Sequence, residues 1–261
     1  MEREVKHLHA QGLQGDVIGT GIHVGSMDAA LSRISDWAKK REPRSVFFCN
    51  AHSVAHARSH RQFRAVLDSA DLRLPDGAPV AHMLRLAGFE NQRRVCGPDL
   101  MLQYLALAEA RGEAVFFYGS TPETLEKLQA RCARDFPRLK VHAYSPPFRA
   151  LSEEEDEAIM QLIAASGAST VWVALGCPKQ EQWIAEHRDR IPAVVLGVGA
   201  AFAFHAGIAA RAPRWMQQCG LEWLHRLATD PGRMWKRYLV TNSAFLFYAA
   251  LSVLGRRQAR T

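Results

Sequence analysis

The sequence predicts an α/β protein: a mainly parallel sheet with helices on both faces, extended by a C-terminal helical appendage. Three observations predict it. Short apolar runs alternate with amphipathic segments along most of the 261 residues, the pattern of strands joined by crossover helices. Hydrophobic residues make up 48% of the chain, enough for one large domain or two small ones with a sizeable core. The charge is uneven: the chain nets +7, and residues 211–261 hold nine Lys/Arg against two acids, so residues 1–210 balance to zero.

The elements follow in order. Residues 16–24 (DVIGTGIHV) read as a strand or short hairpin, and 27–40 as a helix with Leu31, Ile34 and Trp37 near helical spacing. Residues 45–49 (SVFFC) read as a buried strand and 51–67 as one helix. Leu72 to Leu74 lead into Pro75-Asp76-Gly77, which is sufficient turn chemistry by itself. Gly97-Pro98 opens a helix to Ala110, with Pro at a favoured first-turn position. The second half has a cleaner rhythm. Strands at 114–119, 140–144, 170–175 and 193–199 are each followed by a turn and, except after SPPF (145–148), directly by a helix start. Ser152 followed by four acids suits the N-terminus of helix 153–166. The organisation is Rossmann-like, with an α/β domain over 1–210 and a basic, amphipathic appendage over 211–261.

In such a sheet the loops at the carboxyl ends of strands line the ligand crevice. They are Asn50-Ala51-His52, Pro75-Asp76-Gly77, Tyr118-Gly119-Ser120, Gly176-Cys177-Pro178-Lys179-Gln180 and Gly197-Val198-Gly199. Helix N-termini after three of them offer N–H groups suited to a diphosphate. GVGAAF (197–202) fits only part of a dinucleotide fingerprint and also reads as a plain strand–helix turn. In GCPKQE (176–181), Lys179 could sit beside phosphate and Gln180 could bond a hydroxyl, or the stretch is a solvated helix start.

Several function classes are disfavoured. The chain has no GxSxG elbow and no GxxxxGK[ST] phosphate loop, against a serine hydrolase or P-loop NTPase. His52, His56 and His60 are spaced for one helical face, but no motif supplies a third metal ligand, and no Asp-x-Asp occurs. No metal and no cofactor is therefore expected. Cys49, Cys96, Cys132, Cys177 and Cys219 form no CxxC pair, which points to a reducing compartment. The first seventeen residues are too polar for a signal peptide.

The tail mixes Trp223, Arg226, Arg233, Trp235, Lys236 and Arg237 with apolar residues, and its apolar stretch 244–254 spans eleven residues. A spanning helix needs roughly 20. The tail therefore reads as lying on an anionic membrane surface. A helical pair packed on the domain or on another subunit is the alternative. Nucleic acid is not expected, since no binding motif accompanies the charge.

An ordered set of landmarks sharpens this. Asn50-Ala51, Leu74-Pro75-Asp76-Gly77, Arg94-Val95-Cys96-Gly97-Pro98-Asp99-Leu100, Tyr118-Gly119, Gly176 to Glu181, Gly197-Val198-Gly199, Arg211-Ala212-Pro213 and Gly220-Leu221-Glu222-Trp223, with Arg226-Leu227 and Asp230-Pro231, follow one another between about residues 16 and 240. In this the chain resembles the WecG/TagA/CpsF glycosyltransferases.

The resemblance implies an inverting, metal-independent transfer of a sugar from a UDP-sugar to a polyprenyl-diphosphate-linked sugar. The site of action would be the cytoplasmic face of the membrane, and the products bacterial surface glycans: teichoic acid, common antigen, capsule or exopolysaccharide. By the same resemblance the catalytic base falls on Asp76, polar acceptor-pocket residues on Asn50 and Gln180, and an anion-handling arginine on Arg94. The appendage that covers the active site and meets the membrane or lipid diphosphate falls on Arg226, Arg233, Lys236 and Arg237. Tyr118 is expected to stack on uracil. Gly119, Ser120, Gly176, Lys179, Gly197 and Gly199 are expected along the donor. Two positions depart from the family pattern: Phe48, where Thr is frequent, and Ala203, where Asp is frequent. No particular sugar is assigned, and homo-oligomerisation is left open. The alternative from another class is a nucleotide-sugar-binding membrane adaptor without transfer activity.

Overall fold

The computed structural model describes residues 12–258, apart from the side chains of 218, 233, 234, 236–239 and 255–258. In chain order the elements are β1 (Gln14–Val17), β2 (Thr20–His23), α1 (Met27–Lys39), β3 (Arg44–Cys49), α2 (Ala51–Ser59), α3 (Arg61–Asp68), β4 (Leu72–Pro75), α4 (Ala78–Leu86) and α5 (Gly97–Arg111). There follow β5 (Ala114–Gly119), α6 (Pro122–Asp135), β6 (Lys140–Tyr144), α7 (Glu153–Ala165), β7 (Thr170–Ala174), α8 (Lys179–His187), β8 (Val194–Gly197) and α9 (Ala201–His205). The tail holds α10 (Arg214–Gln218), α11 (Glu222–Thr229) and α12 (Pro231–Gln258).

The architecture is the predicted α/β one. A six-stranded sheet has the order β4-β3-β8-β7-β5-β6 and is flanked by helices, while β1 and β2 form a separate hairpin. The pairs β3–β8, β8–β7, β7–β5 and β5–β6 are parallel. Strands β5, β7 and β8 are buried along their whole length. That is why their sequences are continuous apolar runs rather than alternating ones.

Two sequence expectations are corrected. The expected single helix over 51–67 is two, α2 and α3, because His60 takes an extended backbone (φ −128°, ψ 99°) between them. No Gly or Pro marks that break. The helix α4 was not expected, because the Pro-Asp-Gly turn and Pro79 hide its start; Gly77 caps it at φ +90° with no side-chain hydrogen bond.

The chain divides into two compact units. The first comprises, of the described residues, 12–27, 48–96 and 210–258. Its local organiser is Arg73, which is buried. The Arg73 guanidinium donates to the carbonyls of Gly21, Leu67, Asp68 and Ala70 and to Gln14 Oε1, and its backbone N–H donates to His23 Nδ1. A buried cation is tolerable only with its donors satisfied. Arg73 thereby ties the β1–β2 hairpin to α3 and β4. Helix α12 packs along α2, where the Arg58 guanidinium sits 5.6 Å from the Tyr248 ring centre.

The second unit comprises residues 28–47 and 97–209. Trp172 is fully buried at its centre, with Tyr104 against it at 5.6 Å. The Tyr104 hydroxyl and the Ser169 hydroxyl both donate to Glu113. Ser152 and Glu155 form the capping box that the acidic start of α7 predicts.

Candidate functional site

In the first unit the chemistry gathers around the turn after β4. Asp76 N–H donates to Cys49 O (2.9 Å), and Val95 N–H donates to Pro75 O (2.8 Å). These two bonds seat the Asp76 turn at the end of β3 and lay the Arg94–Cys96 segment beside it. The Cys96 thiol donates to the Asp76 carboxylate. Gly77, at φ +90°, turns the chain sharply into α4, a conformation that L side chains avoid.

The tail closes on the same turn. A Cβ on Gly220 would lie 2.8 Å from Ala78 Cβ, so the backbone there rests directly on the start of α4. Two residues on, Glu222 accepts from Arg94 Nη1 at 3.1 Å and lies 3.8 Å from Arg226. Arg94 Nη2 donates to Gln217 Oε1 at 2.8 Å, and Gln217 Nε2 donates to Ala212 O. Asp76 therefore faces a mixed cluster: Glu222, Arg226, Arg94 and Cys96.

Burial, and then the Glu222 charge, push the Asp76 carboxyl up to about 6; Arg226, Arg94 and the Cys96 thiol pull the other way. A carboxylate with that affinity for protons is a stronger base than an exposed one and is still ionised at neutral pH. A pairing of tail and turn that uses Glu222, Gln217 and Cys96 was not singled out from the sequence. Glu222 and Cys96 stood among the family landmarks, and an isolated acid in a basic tail was the available signal.

Asn50 lies at the start of α2, where its Oδ1 accepts from His52 N–H (3.0 Å) and Ser53 N–H (3.2 Å). That is a helix cap first. Its Nδ2 amide takes no part in that cap. His52 and His56 stack with ring centres 6.0 Å apart, and His60 follows at 3.9 Å from His56 with its ring tilted by 33°. Among the described residues no group of three His, Cys, Asp or Glu side chains is arranged to hold a metal ion. The side chains of Arg233, Lys236 and Arg237 lie outside the described residues.

In the second unit the remaining predicted residues line the carboxyl ends of three adjacent strands, β5, β7 and β8. After β5, Gly119 takes φ +103° and a Cβ there would meet Ala174 O at 2.7 Å, so only glycine fits. Ser120, also at positive φ (64°), donates its N–H to Ala174 O, and its carbonyl accepts from the Ser145 hydroxyl. Thr121 then caps α6. After β7, Gly176 (φ +80°) and a cis Cys177–Pro178 bond lead to Lys179, which is exposed at the start of α8.

Gln180 is buried, and its Nε2 donates to Glu181 Oε1 (2.8 Å) and Gly197 O (3.3 Å). Its Oε1 is buried without a partner among the described residues and lies 3.3 Å from where a Gly199 Cβ would stand. The glycines of Gly197-Val198-Gly199 thus let this amide pass close under the backbone. A buried amide oxygen with no donor is the sort of group a ligand N–H or O–H satisfies.

Tyr118 is a correction. It does not offer a platform for uracil, because its ring is fully buried and stacked on Trp183 at 4.3 Å, with Tyr144 near-parallel at 6.4 Å. The strand places it under α8, where the stack is already made.

Glycine-shaped loops at the strand ends of an α/β sheet are suited to a nucleotide, and a carboxylate of raised proton affinity beside arginines is suited to proton transfer in a group-transfer reaction. The chain belongs to the WecG/TagA/CpsF glycosyl transferase family, whose pattern it matches over residues 15–259. It is 37% identical over 184 residues to an N-acetylglucosaminyldiphosphoundecaprenol N-acetyl-beta-D-mannosaminyltransferase from Bacillus spizizenii, covering 70% of each chain. It is 33% identical over 180 residues to the protein of the same name from Bacillus subtilis, covering 69% of this chain and 68% of that one.

Proposed function

We propose that this protein transfers a sugar, with inversion, from a UDP-sugar to a polyprenyl-diphosphate-linked sugar, using Asp76 as general base. The observation that carries this reading is the Asp76 turn: a carboxyl pushed up to about 6, flanked by Arg94 and Arg226. Asp76 takes the proton of the acceptor hydroxyl as that oxygen attacks the anomeric carbon and the bond to the departing diphosphate breaks. One in-line displacement inverts the centre and needs no covalent sugar–enzyme intermediate. In this reading the Asn50 Nδ2 donates to a sugar hydroxyl and the Gln180 Oε1 accepts from one. The N–H groups at the start of α6, after Gly119-Ser120, and the exposed Lys179 are suited to the donor's diphosphate. No metal is required in this reading; cations and helix ends take its place.

The functional division proposed is a catalytic part over 1–210 and an appendage over 211–261 that also completes the surroundings of Asp76. Trp215, Trp223, Trp235, Leu246, Phe247 and Leu254 expose apolar surface on the appendage, as a segment lying on a membrane does. No helix among the described residues is long and apolar enough to cross one. The proposed location is the inner face of the cell membrane, in synthesis of a bacterial surface glycan.

The names of the two relatives choose the first substrates to try: N-acetylglucosaminyl-diphosphoundecaprenol as acceptor and UDP-N-acetylmannosamine within a radiolabelled UDP-sugar panel. A labelled lipid product formed in the presence of EDTA is the expected result. UDP binding with no product from any donor would leave a nucleotide-sugar-binding adaptor instead.

A further inference from the structure

Helices α4 and α12 flank an open groove of about 500 Å³, all within the first unit. Pro79, Met83 and Leu86 line one wall, and Phe245, Ala250 and Leu254 the other. Among the described residues His82 is the one polar side chain in it. From Phe245 to Leu254 the α12 wall runs about 13 Å at the helical rise per residue. An apolar concavity of this size is what a hydrocarbon ligand fills.

Its position narrows the occupant. Pro79 stands three residues after Asp76, and Ala78 between them touches Gly220. The α4 wall of the groove therefore begins three residues after Asp76, in the first turn of the helix that the Asp76 turn leads into. A molecule with an anionic head and one apolar chain would meet both features at once.

We propose that this groove holds the first isoprene units of the acceptor's polyprenyl chain, next to the diphosphate. The inference rests on the glycosyltransferase reading above for its choice of ligand. A flat bilayer surface and a second copy of the chain would also cover the exposed residues, but neither presents a single apolar chain joined to an anionic head.

The test measures binding separately from transfer. Isopentenyl, geranyl and farnesyl diphosphate are titrated calorimetrically into the full-length protein in lipid-free buffer, below the concentration at which the probes aggregate. Affinity is expected to rise at least roughly tenfold from isopentenyl to farnesyl, as apolar area is buried. Ala250→Trp fills the groove from the α12 side, and Leu86→Gln makes the α4 wall polar. Both positions are exposed, so both variants are expected to fold, to bind isopentenyl diphosphate as the parent does and to lose the gain with chain length.

No length dependence in the parent, or a length dependence that both variants retain, overturns the proposal. So does sedimentation showing that both variants convert a dimer to monomer, which assigns the groove to a second copy. If no sugar is transferred yet length-dependent binding is seen and lost in the variants, the glycosyltransferase reading falls and the prenyl groove stands.

Discussion

Glu222 and Arg94 stand 128 positions apart in the chain and form a 3.1 Å ion pair beside Asp76. Both side chains are mostly buried, at 23% and 20% exposed, so the pair is screened less than a surface one. The two partners act on the candidate base in opposite senses. Glu222 opposes the ionisation of Asp76, and Arg94 favours it. The appendage thus adjusts the chemistry of the turn as well as covering it.

Replacing Glu222 with Gln removes the charge that raises the proton affinity of Asp76 and leaves Arg94 and Arg226, which lower it. The acid limb of the kcat/KM profile, expected near 6, should move down by about 0.5–1 pH unit. The plateau should fall several-fold, because a weaker base is left. Glu222→Asp should restore most of the profile. An acid limb that stays in place while activity drops would make Glu222 merely structural.

Asp76→Asn should lower transfer by about 10²–10⁴, the usual contribution of a general base, with UDP binding retained. The same change should stabilise the fold at neutral pH. The folded-state value of about 6 lies above the ordinary 3.8, so the folded chain holds the proton more tightly than the unfolded one. The stability this contributes is full below the ordinary value and is lost as pH rises through about 6. At pH 7.5 the ionised group is a cost of about 1–3 kcal/mol, which the amide removes. Denaturant midpoints for the two proteins should therefore separate at pH 7.5 and converge near pH 4. A variant less stable than the parent at pH 7.5 would contradict the burial argument.

Gly119→Ala tests the loop after β5. The new Cβ would sit 2.7 Å from a backbone oxygen, Ala174 O, at a φ of +103°. Neither the clash nor the dihedral can be relieved by a side-chain rotation. A loss of about 2–4 kcal/mol in equilibrium unfolding is expected, and a loss below about 0.5 kcal/mol would show that the two strand ends can part.

The sheet was legible because its central strands are buried along their length and its loops carry Gly, Pro or Ser. The runs at 114–119 and 140–144 match β5 and β6 as observed. What stayed hidden depends on tertiary contacts. Nothing in residues 51–67 signals the extended His60. A buried strand places residues on either face without saying what covers them, so Tyr118 could not be seen to be stacked on Trp183. Asp76 was singled out from its turn and from the family landmarks. Its raised proton affinity could not be, because Glu222 lies 146 positions later in the sequence and only the fold brings it near.

Gly220 tests whether the seating of the tail on the turn matters for chemistry. It takes φ +75°, and a Cβ added there would meet Ala78 Cβ at 2.8 Å. Ala78 has no rotamer to move, so Gly220→Ala must push the start of the tail away from the turn or strain it. Either response displaces Glu222, two residues on, from Arg94. The expected result is a fall in kcat of about tenfold or more, since small misplacements at a reacting centre cost rate steeply, with a shift of the acid limb in the same direction as for Glu222→Gln. The dihedral and the clash can be told apart. Adding Ala78→Gly removes the opposing methyl and leaves the unfavourable φ of about 1–2 kcal/mol. The double variant should therefore recover most of the lost kcat while its unfolding midpoint stays below that of the parent. If kcat is unaffected in the single variant, or if the second change restores nothing, contact between Gly220 and Ala78 does not position the base.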